Sequence, residues 1–284
     1  MHNCIKLRKY FSSFQFIVVH LHYQMMKKSM KKILFLPVVL AFFASCASSY
    51  NVEGTSSIPA LDGSKLYLKA IKNNEFKNID SCEVVHGEFH FTGLLDTVRM
   101  ASLYMDDESI MPVVLEKGEI TIKIDPIRQQ VGGTLLNDSL YKFIDKHNQL
   151  TNQMNELSHK QSQMLLEGID EDVINRQLNQ EAAQIAAEED RLVVKFIEAN
   201  FDNVLGPGVF MMITSQYRFP ILTPQIEDIM SKATEKFKND PYVREYYQMA
   251  QENEKKMTGL GDPLNMENPT AQQASNPLTN IPQE

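Results

Sequence analysis

The sequence has no tryptophan and only three cysteines in 284 residues. No Cys-x-x-Cys pair occurs, so the chain lacks the redox dyad of a disulfide oxidoreductase. Gly-x-Ser-x-Gly, the nucleophile signature of many serine hydrolases, is missing. No glycine-rich run ends in Lys-Ser or Lys-Thr, so a phosphate loop is also missing. Glycine and proline, at 12 each, leave no room for a collagen-like repeat. No cofactor is therefore expected, and the chain reads as a non-enzyme. Apolar residues at 43% and charged residues at 23% are enough for a folded core.

What is present begins with an address. Met30-Lys31-Lys32 is basic, and residues 33–43 carry no polar side chain. Ala44-Ser45-Cys46 then supplies two small residues and a thiol. This is the layout of a secretory signal peptide. The apolar run is shorter than the roughly 20 residues a membrane span needs. The closing Cys46 resembles a bacterial lipobox, although Phe43 stands where that motif usually has leucine. Cys46 is therefore the expected site of lipid attachment, with a plain signal peptide as the alternative. Residues 1–29 fit poorly ahead of such a leader. They are read as a segment upstream of the true start, at Met26 or Met30, or as a long leader.

Removal of residues 1–45 takes away seven basic residues and no acidic ones. Of 28 basic residues 21 remain, against 36 acidic, a balance of −15. Such a surface repels phosphate backbones, so nucleic acid is not expected as a partner. Membrane attachment must come from acyl chains, not from a basic patch. Cys82 remains as a possible free thiol with no intramolecular partner.

From Tyr50 to about Val131 the pattern alternates. Leu66, Leu68 and Ala70 share one face, as do Phe89 and Phe91, and Ile120, Ile122 and Ile124. Alternation of this kind signals half-buried antiparallel strands. Asp62-Gly63, His86-Gly87, Asp106-Asp107 and Lys117-Gly118 mark turns between them. About seven strands over 46–133 suit a small sandwich.

After Gly132-Gly133-Thr134 the period becomes helical. Asn137 is the expected N-cap of a first long helix. Leu140, Phe143, Leu150, Met154, Leu157 and Met164 form its stripe. Gly168 ends it and Asp170 caps a second helix with Ile174, Leu178, Ile185, Leu192 and Phe196 on one face. The short link predicts a long antiparallel helix hairpin. Thr223-Pro224 and Asp240-Pro241 predict two shorter helices. The expected architecture is α+β, with a β-sandwich at 46–133, a helical domain at 134–257 and a disordered, proline-containing tail at 258–284.

Three stretches carry a resemblance. Residues 80–93 read Asp-Ser-Cys-Glu-Val-Val-His-Gly-Glu-Phe-His-Phe-Thr-Gly, and the segments 115–120 and 133–138 follow in the same order. They resemble an N-terminal domain of unknown function found in lipoproteins of Gram-negative anaerobes. In those relatives it precedes a TlpA/ResA-like, thioredoxin-family thiol–disulfide oxidoreductase. No thioredoxin domain follows here, so that activity transfers to no residue. Ala47 directly after the acylated cysteine, with no acidic run at 48–51, resembles outer-membrane sorting without a surface-export tag, so an outer-membrane lipoprotein facing the periplasm is expected.

The remaining candidates have ordinary readings. His86 and His90 fall in and beside a hairpin turn. His147 and His159 lie twelve apart on one helix, roughly 18 Å from each other, so neither pair suits a metal. The acidic runs at 106–108, 170–172 and 188–190 lack the order of a calcium loop. The first expectation is a non-catalytic, lipid-anchored binding or scaffolding module with an envelope protein as partner. The second is an accessory in periplasmic thiol–disulfide exchange, acting through Cys82 or a partner thioredoxin-like protein.

Overall fold

The computed structural model describes residues 48–72 and 75–258. The leader, Cys46 and the proline-containing tail lie outside the described residues. Eight strands come first: β1 (Ser49–Ser56), β2 (Lys65–Lys72), β3 (Glu75–Glu83), β4 (Glu88–Leu94), β5 (Arg99–Met105), β6 (Glu108–Leu115), β7 (Gly118–Ile124) and β8 (Gln129–Gly132). Six helices follow: α1 (Leu135–Leu166), α2 (Glu171–Ala199), α3 (Leu205–Thr214), α4 (Pro224–Lys232), α5 (Glu235–Lys238) and α6 (Pro241–Met257). The fold is α+β, as the change of period implies.

The strands form two four-stranded sheets, ordered β4-β1-β7-β8 and β3-β2-β5-β6. Alternation decides their faces. Val52, Phe91, Ile120 and Ile122 from the first sheet join Leu66, Leu68 and Leu103 from the second in one core, each almost wholly removed from water. One pair departs from the antiparallel expectation. β1 and β7 run parallel, with Tyr50 opposite Gly118 and Ser56 opposite Ile124. The 3→4 turn places both His86 (φ 54°) and Gly87 (φ 75°) in the left-handed region, which a two-residue hairpin requires.

On its β6 side the second sheet is covered on its outer face as well. β6 is buried along both faces, unlike β7, which alternates. Its Pro112 sits on an edge strand, where a missing N–H costs no ladder bond. The Tyr141 hydroxyl of α1 donates to the Pro112 carbonyl at 2.9 Å.

α1 starts earlier than the sequence suggests. Thr134 is the N-cap residue, and its side chain makes no capping bond. The cap comes from a distance: Glu116 Oε1 accepts from the N–H groups of Leu136 (2.8 Å) and Asn137 (3.2 Å). Asn137, expected as the cap, lies inside the first turn and is wholly buried. Asp170 caps α2 as expected, accepting from Asp172 N–H at 3.0 Å. Thr223 and Asp240 cap α4 and α6 in the same way.

Three ion pairs join α1 to α2: Lys146 with Glu188, His147 with Glu189, and Lys160 with Glu181. The stripe on α2 drifts at its end. Val193 and Ile197 are the buried residues there, with Leu192 and Phe196 only half-buried. α3 and α4 both pack on α2, and Lys232 of α4 pairs with Glu198 at that end.

Candidate functional site

β5 has two faces. Ala101 and Leu103 point into the sandwich. Met100, Ser102 and Tyr104 therefore point outward, toward the helices. On the neighbouring β2, Lys69 and Ile71 do the same, with Lys69 directly opposite Ser102 in the ladder.

The facing wall is built by α3 and α6. Gly208 of α3 is buried, and a Cβ there would stand 2.7 Å from Met100 Cγ. The missing side chain is what lets α3 seat on β5. Phe210 of α3 meets the Tyr246 ring edge-on at 5.5 Å, and Tyr246 stacks on Tyr242 at 6.2 Å. Between the walls lies a cleft of about 460 Å³. That is within the usual range of small-molecule sites, about 300–1,000 Å³.

The cleft is greasy and pliable. Met100, Met211, Met212 and Met249 line it, and thioether side chains adapt to irregular shapes. Two of its tyrosines, Tyr242 and Tyr246, are already engaged. The Tyr242 hydroxyl lies 3.0 Å from Thr214 Oγ1. The Tyr246 hydroxyl donates to the Ile221 carbonyl and accepts from the Ile221 N–H, both at 3.2 Å. Burial raises the phenols of Tyr242 and Tyr104, and pushes Tyr246 up to about 12. All three stay protonated near neutrality.

Charge is confined to the rim. Lys69 Nζ donates to the Asp106 carbonyl at 3.2 Å, lies 3.7 Å from Asp107, and sits 4.4 Å over the Tyr104 ring. Glu245 also has an interaction partner. Arg218 lies on the loop between α3 and α4, flanked by Tyr217 and Phe219. Among the described residues its guanidinium makes no hydrogen bond or ion pair. The loop itself is tied down at Ile221 by Tyr246, and at the Pro220 carbonyl by Asn253 (2.8 Å).

The residues singled out in the sequence lie elsewhere. Cys82 is on β3, half-buried against the sandwich core. Burial pushes its thiol up to about 11, so the nucleophilic thiolate is scarce at neutral pH. His90 Nδ1 lies 3.0 Å from Glu53, and His147 Nε2 lies 3.0 Å from Glu189. His86 is in its turn, and His159 is exposed on α1. The structure brings none of these together. Among the described residues no three His, Cys, Asp or Glu side chains are placed to hold a metal ion.

Sequence pattern alone misses the cleft. Tyr246 and Met249 fall on the apolar stripe of α6, but the stripe does not show that Met249 stays 41% exposed. The adjacent Met211 and Met212, close behind Gly206 and Gly208, were the available signal.

Residues 50–140 match the family described as a domain of unknown function, DUF4369. The strand module is a DUF4369 domain. The match takes in all of β2 to β8, Glu116 and Asn137, so the remote cap of α1 belongs to the DUF4369 domain. Its β5 supplies one wall of the cleft. The wall from α3 and α6 lies beyond the matched residues. No curated protein and no solved structure matches the chain. Among the described residues no helix is long and apolar enough to cross a membrane.

Proposed function

We propose that the chain is a non-catalytic, lipid-anchored protein of the cell envelope that holds an apolar ligand between its DUF4369 domain and its helices. The anchor is the thiol of Cys46, and the setting is the periplasmic face of the outer membrane. The order of basic start, apolar run, small pair and cysteine supports the anchor. The resemblance to modules that precede thioredoxin domains supports the compartment.

The cleft is the observation that carries the binding role. Its inner surface is mostly thioether and aromatic carbon, and the Tyr242 and Tyr246 phenols are protonated and engaged in structural bonds. Such a surface takes up an apolar body without transforming it. Exchange chemistry through Cys82 is the weaker reading, because its surroundings suppress the thiolate.

A neutral dye tests the cleft. Nile red is added to the full chain carrying Cys46→Ser, purified without detergent. Bright, blue-shifted emission is expected. It should be lost in a second variant with Ser102→Trp, whose indole fills the cleft from β5, while the far-ultraviolet circular dichroism is unchanged. Equal emission from both proteins would refute binding at this place.

A further inference from the structure

Resting on that reading of the cleft, we infer that its ligand is a single-chain amphiphile with an anionic head. The chain lies along the methionine and tyrosine walls, and the head meets Arg218. Three observations carry this.

The first is the interior. The Tyr242 and Tyr246 hydroxyls already have partners. A polar group on the buried part of a ligand would lose its water and gain little in return. The buried part is therefore mostly hydrocarbon, with hydroxyls such as those of Ser102 and Ser109 as the polar points of the lining. Four methionines suit a flexible chain better than a rigid plate, since both sides can adjust.

The second is the rim. Three charged side chains stand there, and two are committed: Lys69 to the Asp106 carbonyl and Asp107, and Glu245 to its own partner. Arg218 is uncommitted among the described residues, and its planar fork matches a carboxylate or phosphate. The third is contrast. The chain beyond residue 45 has an excess of 15 acidic groups, so an anion is repelled by most of the surface. A free guanidinium beside an apolar opening singles out one place for it. Tyr217 and Phe219, 37% and 50% exposed, flank Arg218 and extend the apolar surface past the opening.

Isothermal titration with decanoate, decyl phosphate, decan-1-ol and decyltrimethylammonium tests the inference, each kept below its micelle point at low salt. The protein is again the full chain with Cys46→Ser. Both anions should bind about fivefold more tightly than the alcohol, the gain expected of one exposed charge pair. The cation should bind least. Arg218→Gln, on an exposed loop, should remove that fivefold gain and leave the alcohol unchanged. A preference for decanoate identifies a free fatty acid, and a preference for decyl phosphate a phosphate-headed lysolipid. Equal binding of alcohol and anions, or an Arg218→Gln variant that keeps the full preference, would overturn the anionic head but leave the cleft standing. Failure of all four to bind would remove the cleft reading itself.

Discussion

Val114 lies on an edge strand, and without Asn137 its N–H and C=O would meet α1 unpaired. Asn137 Oδ1 accepts from Val114 N–H, and Nδ2 donates to Val114 C=O, both at 2.8 Å. The carboxamide thus imitates one residue of a further strand and closes the edge. A second Nδ2 bond, to Thr134 Oγ1 at 2.8 Å, holds the side chain in place. Asn137→Ala should cost about 2–4 kcal/mol, since two buried backbone groups lose their partners. Urea unfolding followed by circular dichroism measures it. The sequence marks Asn137 as special but assigns the wrong task. An Asn before a helical period reads as a cap, and nothing local shows that Glu116, 21 residues earlier, already holds that place.

Strands such as β4 and β7 were legible because one face of each is wet and one dry, whereas β6, buried along both faces, leaves no such alternation. The caps of α2, α4 and α6 were legible because they use local side chains. α3 was not. No periodic signal marks residues 205–214 in the sequence, and the half-buried Met100 above Gly208 explains why the helix needs no side chain there. The cleft stayed hidden for a related reason. Its walls come from segments about a hundred residues apart, and pairing of distant surfaces leaves no periodic trace. The link between α6 and the Arg218 loop yields a pH prediction. Tyr246 is raised from its ordinary value of 10 to about 12 in the folded chain. The unfolded chain loses that proton first, so stability is fully present below pH 10 and falls as pH rises toward 12. Tyr246→Phe should be less stable at pH 8, having lost both bonds to Ile221. Between pH 10 and 12 its urea midpoint should fall less than that of the parent protein.

At the scale of the molecule, the proposal divides the work between two parts: residues 30–46 would set location, and the folded unit recognition. If Cys46 carries the anchor, palmitate fed to growing cells should label the parent chain. A Cys46→Ser chain should be unlabelled and should leave the membrane fraction. Continued labelling of that variant would sink the anchor. The acidic excess beyond residue 45 adds no attachment of its own, since a surface of this sign does not adhere to anionic headgroups.

β1, the strand nearest the leader, sits inside its sheet rather than at an edge. It bonds to β4 on one side and, in parallel, to β7 on the other. A pull applied through the N-terminus cannot peel it away one bond at a time. Both ladders must give together, so the strand that a tether at residue 46 would load first is gripped on two sides.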